Sequence, residues 1–339
     1  MAFVLSAAVS WSLPARAILA MGIAFFLFLS IRLHMTYVYT WQGATGPPRC
    51  KPPNPEGGLN KFIVPDAIST GTGLGLLDDS GKFLKNITEA DEGVVSPTAF
   101  IQSTHNTVSS NIALTVGCTG HNNTFVHKGF SFESALTDAQ MLVADDPAMR
   151  NVLVGAYDET TDYSFAVMQR LRLLRDTPVS SSELLSRPGS GTIAGEGAAF
   201  FLLSTSKNHH TYAALRGTDI LYKPHSIDKV KSKLEAFLSR HQMVLSDVDI
   251  VISGLCGDSK RDELLREMND DYFPAQTILG YKHLCGEYMT SSAFALWIGA
   301  MIIQIGKIPS ETVVKWPTTT DCKSVLFGVP WFESTPAHT

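Results

Sequence analysis

Charge is scarce in this chain of 339 residues: Asp, Glu, Lys and Arg make up 17%, against about 25% in an ordinary soluble domain. The deficit excludes a solvating, disordered polymer and points to a large core with a sizeable subunit interface. A basic block is also missing, and 27 Lys and Arg against 32 Asp and Glu leave a net charge of −5. A nucleic-acid partner held through its phosphates is therefore excluded. No CxxC pair occurs among the five cysteines, Cys50, Cys118, Cys256, Cys285 and Cys322, whose number is odd and whose spacing is irregular. A disulfide framework and a structural zinc site are ruled out, and a reducing, cytoplasmic setting is expected. Nothing in the residues calls for a cofactor or a metal. What the chain does have is apolar sequence, 45% of the total.

The amino-terminal 1–42 differs from the rest. Residues Ala17 to Ile31 carry no charge. That run is short of the about 20 apolar residues a bilayer needs, unless Arg32 snorkels and Leu33 to Trp41 extend it. Three readings stand side by side: a membrane anchor (a transmembrane helix, with membrane contact through 17–41), an uncleaved signal-like segment, and an extension set by the choice of start codon. No small-x-small cleavage site is evident. Arg16 on one side and Arg32, Arg49 and Lys51 on the other leave the orientation open. Residues 43–58 follow, with Pro47, Pro48, Pro52, Pro53 and Pro55 among glycines. They form a semi-rigid linker. The globular part begins near Leu59, with one half expected over 59–205 and a second over 206–339.

Within it, short apolar runs alternate with helical periodicity, the pattern of an α/β protein. Strands are expected at Asp66 to Gly71, Thr124 to His127, Asn151 to Gly155, Gly197 to Leu203, Val248 to Ser253 and Thr277 to Leu279. Helices are expected at Asp79 to Glu89, Ser103 to Val116, Ser131 to Ala144 and, capped by Ser226, through Leu238. Ile227, Val230, Leu234, Phe237 and Leu238 share one face of that last helix. Ser291 to Ile303 is apolar all round, which places it between layers. Two α/β halves around a central buried helix imply a layered sandwich.

Several motifs invite chemistry and fail. Gly71-Thr-Gly73-Leu-Gly75 follows a strand, but Leu76 stands where a dinucleotide fingerprint needs glycine; a tight turn explains it. Gly129-Phe-Ser131-Phe-Glu133 lies at a strand-to-helix junction, yet Glu133 is too large for a hydrolase elbow; Ser131 is better read as a helix cap. Cys118 and His121 have no second ligand pair at metal spacing. His209 and His210 read as an exposed strand start, and His105 and His127 as packing residues beside a cavity rather than catalysts.

Four segments in order resemble the β-ketoacyl synthases, of the thiolase-like fold. Pro97 to Asn106 (PTAFIQSTHN) resembles the family's PT...S.HN block. Phe132 to Glu159 is similar to the helix and strand after the family's nucleophile. Gly195 to Leu203 (GEGAAFFLL) matches its GEGA strand. Ser253 to Ala293, with Lys282 in GYKHLCGEYMTSSA, resembles the two carboxy-terminal catalytic blocks. The resemblance spans about residues 66 to 305 and implies a layered α-β-α-β-α sandwich of two related halves.

The family condenses acyl units through a cysteine at a helix amino terminus, where backbone N–H groups stabilise thiolate and oxyanion. Two histidines assist decarboxylation and a lysine orders the second. Ungapped counting carries the cysteine to Gly129, the first histidine to Gly254, the second to Glu287 and the lysine to Lys282. Only the lysine is retained. Cys256 and Cys285 stand in the former catalytic blocks, but without a helix amino terminus they read as inert core thiols.

The resemblance thus implies a degenerate member, a partner subunit like a chain-length factor in fatty acid, polyketide or aryl-polyene-type biosynthesis. It would form a heterodimer with an active ketosynthase, or a homodimer, and meet an acyl carrier protein. The strand at Thr124 to His127 would join the partner's equivalent strand. Phe130, Phe132 and Met141 are candidate tunnel walls, with ordinary core as the competing reading. The alternative is an active acyltransferase or malonyl decarboxylase using Lys282 and Glu287, although a carboxylate beside that lysine would hold both charged. A third reading is a decayed gene product whose usual first strand the apolar leader has replaced.

Overall fold

A computed structural model describes residues 32–41, 63–89, 93, 97–207, 211–222, 224, 226–316 and 324–328. The apolar run 17–31, the linker 43–58, His209, His210, Cys50 and Cys322 lie outside the described residues.

Two sheets form the frame. The first has six strands: β1 (Arg32–Trp41), β2 (Ala67–Gly71), β3 (Asn122–Phe125), β4 (Asn151–Asp158), β5 (Glu196–Ser204) and β6 (Ala213–Ala214). Their order is β3-β2-β4-β5-β1-β6. β2 runs parallel to β3 and β4, and β5 runs antiparallel to both β4 and β1. The second sheet holds β7 (Ile250–Ser253), β8 (Thr277–Gly280), β9 (Val313–Lys315) and β10 (Val325–Gly328), in the order β10-β7-β8-β9.

Side-chain alternation along these strands builds the layers. Val152, Val154, Phe201, Leu203, Ile250, Ile252, Leu279 and Val325 point into one core between the sheets. Helices α4 (Ser131–Asp145) and α9 (Ser292–Ile305) fill it. The alternate residues Leu153, Phe200 and Leu202 face outward against Ala113 of helix α3 (Thr107–Val116). On the far side, Val251, Ile278 and Leu326 pack on Val230, Leu234, Phe237 and Leu238 of helix α6 (Ile227–Arg240). The result is the expected α-β-α-β-α sandwich, with α9, apolar all round, in its central layer beside α4.

Some expectations need correction. Leu33 to Trp41 does not extend a membrane helix: Arg32–Trp41 is a strand paired with β5 from Ser204 to Glu196. Its Tyr, Val, Thr and Trp content favours a strand, and the position covers an edge that β5 would otherwise leave open. No helix among the described residues is long and apolar enough to cross a membrane. The helix expected over Ser103 to Val116 begins only at Thr107 (α3) and is preceded by a separate helix α2 (Pro97–Ser103), because Thr104 and Thr107 turn back onto Ile101 O. Pro97 opens α2 as its first residue, where a missing N–H does no harm. Helix α1 (Leu77–Glu89) and α6 lie where the sequence places them, and Ser226 caps α6 by accepting from Lys229 N at 3.3 Å.

Candidate functional site

The carboxy ends of β2 and β4 meet the start of α4. Gly71 closes β2 so near that helix that a Cβ would lie 2.4 Å from Ser131 O. The turn beyond it is held by the half-buried Asp158, at the end of β4. Its Oδ1 accepts from Gly73 N (2.8 Å) and Thr72 Oγ1 (3.1 Å), and its Oδ2 from Thr290 N (2.9 Å) and Thr290 Oγ1 (2.8 Å). Asp158 thus ties the glycine turn to the segment that leads into α9. Loss of water around it pushes the carboxyl above its usual range, while the bonds from Thr290, Gly73 and Thr72 act in the opposite sense.

Between β3 and α4 the chain makes a sharp turn. Lys128 adopts φ +51°, the left-handed region that a side chain disfavours, and Lys128–Phe130 form a single 3₁₀ turn. Strand β3 consequently ends at Phe125, two residues before the expected His127. Ser131 Oγ accepts from His127 N at 2.8 Å and donates to Lys128 O at 2.7 Å. It fastens this turn instead of capping the helix. Gly129 lies buried within it, with Phe130 and Phe132 on either side of Ser131. Phe132 packs on Phe201 with ring centres 5.8 Å apart, and Phe130 meets His127 and Tyr222. Both are core residues. Met141 is 58% exposed on the outer face of α4, so it walls no interior of this chain.

The second group comes from the other sheet. Lys282, the first residue of the short helix α8 (Lys282–Cys285), is 2% exposed. Its Nζ donates to both oxygens of Glu287, at 2.7 and 2.9 Å. Arg261 Nη2 adds a third contact to Glu287 at 3.4 Å. Glu287 is aimed by its backbone: its N donates to Ile193 O and its O accepts from Gly195 N. That pairing needs two bare backbones in contact, since a Cβ on Gly195 would lie 2.0 Å from Cys285 O and Gly286 has φ +75°.

Gly254 and Cys256 follow β7, both buried, in a loop folded around Asp262, which accepts from Cys256 N (2.9 Å) and Gly257 N (2.7 Å). Burial, with the Glu287 charge second, pushes the Cys256 thiol up to about 12. Burial raises the Cys285 thiol as well. Neither sulfur is a thiolate at neutral pH.

The structure therefore brings Lys282 and Glu287 into contact, as their spacing suggests. Sequence reading missed three members of this neighbourhood. Glu133, on the first turn of α4, is 2% exposed, and burial raises its proton affinity. Its only sequence signal was an acid inside the apolar run FSFESAL. Asp158 carried no signal beyond ending a strand, and Arg261 carried none. Elsewhere, Cys118 is buried, while His121 Nε2 lies 3.7 Å from Asp138 Oδ2. His105 packs against Gly75, and its carbonyl accepts from Tyr157 at 2.9 Å. His127 Nδ1 lies 3.3 Å from Ser134 Oγ.

Layering and strand order define a thiolase-like fold. Residues 75–227 match the family model of the β-ketoacyl synthase N-terminal domain. No curated protein matches it. Among solved structures it is similar to the ishigamide ketosynthase/chain length factor (18% identity, TM-score 0.57, 72% of this chain and 64% of that one). It is likewise similar to a ketosynthase in complex with its chain length factor from Xenorhabdus doucetiae (16%, 0.57, 70% and 60%). A β-ketoacyl synthase from Burkholderia phymatum is a third (15%, 0.53, 70% and 62%). The chain spans less than two thirds of the length of each.

Proposed function

We propose that this chain is a noncatalytic ketosynthase-like subunit that pairs with an active ketosynthase, in the manner of a chain-length factor, and serves an acyl carrier protein pathway. The observation that carries the reading is the strand-to-helix turn at Gly129. Glycine supplies no nucleophile where the family places its cysteine, and neighbouring Lys128 and Phe130 offer no thioester-forming group.

Gly254 and Glu287, taken as the two histidine positions, supply no imidazole. Glu287 instead accepts from Lys282 Nζ through both oxygens, tying the lysine into a buried ion pair. Two further points agree with a partner. β3 is the terminal strand of its sheet, and an open edge favours pairing with another chain. Leu114 and Val126, to either side of that strand in the chain, are 82% and 45% exposed. Two of the similar structures named above pair a ketosynthase with a chain length factor.

The test is incubation of the purified chain with malonyl carrier protein, alone and with a cysteine-bearing ketosynthase. Condensation only in the mixture is the expected result. Carbon dioxide released by the chain alone, and abolished in Lys282→Ala, would establish the decarboxylase alternative instead.

A further inference from the structure

Helices α1 and α2 bury none of their residues, and α5 (Asp162–Arg170) buries only Ser164. The three stand together, with α1 packed mainly on the other two. Phe83 of α1 lies 5.3 Å from Phe100 of α2, ring centre to ring centre, and a Cβ on Gly81 of α1 would lie 2.5 Å from the ring of Tyr163 on α5. Apolar side chains nevertheless dominate the surface they share. Leu84, Phe100, Ile101, Tyr163, Val167 and Leu171 are each 51–62% exposed. Tyr163, Val167 and Leu171 recur at a spacing of four, which sets them in one row along α5 and the residue that ends it. The six together leave on the order of 600 Å² of apolar surface in water, the upper end of what a monomer shows. With a polar rim that approaches the about 800 Å² each partner contributes to a stable complex.

Charge decides what can cover such a face. Helix α2 carries no charge, and the cations of α1 are met within their own helix. Lys82 pairs with Asp78 and, at 3.6 Å, with Asp79, while Lys85 pairs with Glu89 at 3.5 Å. Helix α5 has acids at its start, Glu159 and Asp162, and bases at its end, Arg170 and Arg172. A second copy related by a two-fold axis runs its α5 antiparallel to the first, so the acidic end of each meets the basic end of the other. The apolar row then lies against its own image, between the two charged contacts. We propose that the face formed by α1, α2 and α5 is a self-association surface that takes a second copy of this chain, α5 against α5. It uses other elements than the β3 edge assigned to the ketosynthase partner, so it goes beyond the proposed function and holds whether or not that reading is correct.

Sedimentation equilibrium of the full chain between about 1 and 100 μM tests it. The expected result is a monomer–dimer equilibrium. Val167→Glu, at a position already in water in the monomer, should raise the dissociation constant by about tenfold or more, because the dimer would bury its charge. Asp162→Arg should also weaken association, and the exchange Asp162→Arg with Arg170→Asp should restore it. Acids at the start and bases at the end of a helix suit its dipole as well, but that contribution acts within one chain and does not move the association constant. A chain that stays monomeric throughout overturns the proposal, as does one that pairs through this face only with a ketosynthase. So does a dimer that persists in Val167→Glu, or one that is lost instead in Val126→Glu beside β3. A charge exchange that associates no better than Asp162→Arg alone overturns the antiparallel arrangement.

Discussion

Asp158 and Glu287 are two carboxylates at the seam between the sheets, satisfied in opposite ways. Asp158 is half-buried, has no cation, and accepts four hydrogen bonds from Gly73, Thr72 and Thr290. Glu287 is buried and takes its bonds from Lys282 and Arg261. Neutral donors can hold an acid in place whether or not it carries its proton; a buried cation needs the charge. The first arrangement therefore tolerates titration at a graded loss, while the second fails when either partner is removed. At this seam the Lys282–Glu287 contact is a buried ion pair.

The largest effect expected is at the backbone that aims Glu287. Gly195→Val places bulk 2.0 Å from Cys285 O, and overpacking of this kind costs about 3 kcal/mol or more. Loss of soluble protein, or a collapse of the chemical denaturation midpoint, is the readout. Glu287→Ala comes next: it strands Lys282 in the core and should destabilise by about 3–5 kcal/mol. The double replacement Lys282→Met with Glu287→Leu should recover most of that, and a double variant no better than the single would break the comparison.

Asp158→Asn is smaller, at about 1–3 kcal/mol, because one acceptor oxygen becomes a donor facing Thr290 or Gly73. Its pH behaviour sharpens the contrast. The Asp158 carboxyl is held above its ordinary value, so the folded chain retains a proton that the unfolded chain has lost. The wild-type melting point should fall as pH rises through the folded value, and the Asn variant should lack that part of the slope. The smallest effect is at Met141→Ser, on the exposed face of α4. The isolated chain should change by less than about 0.5 kcal/mol, as differential scanning calorimetry would report.

Much of the fold was legible in the order of residues. VDIVIS and GAAFFLL could only be strands covered on both faces, and Ser292–Ile305 could only lie between layers. The periodicity of α6 and its Ser226 cap needed no tertiary information. The ends of elements were less legible. β3 stops at Phe125 because Lys128 bends and Ser131 claims His127 N, a local contest in which the helix start outweighs two more residues of strand. The strand Arg32–Trp41 was obscured by the apolar run before it, since hydropathy alone does not separate the end of a membrane segment from a strand that completes a sheet.

The candidate site divides along the same line. Residue identity settled that glycine stands at the turn after β3 and that lysine precedes glutamate by five positions in Lys282 to Glu287, because an absent side chain and a fixed spacing are properties of the order itself. Only tertiary structure decided that this lysine is enclosed, that Arg261 also meets Glu287, and that Asp158 comes from the other sheet to hold Thr290. Burial and partnership are set by segments more than a hundred residues apart in the chain, and no local pattern records what a distant strand brings to a charged group.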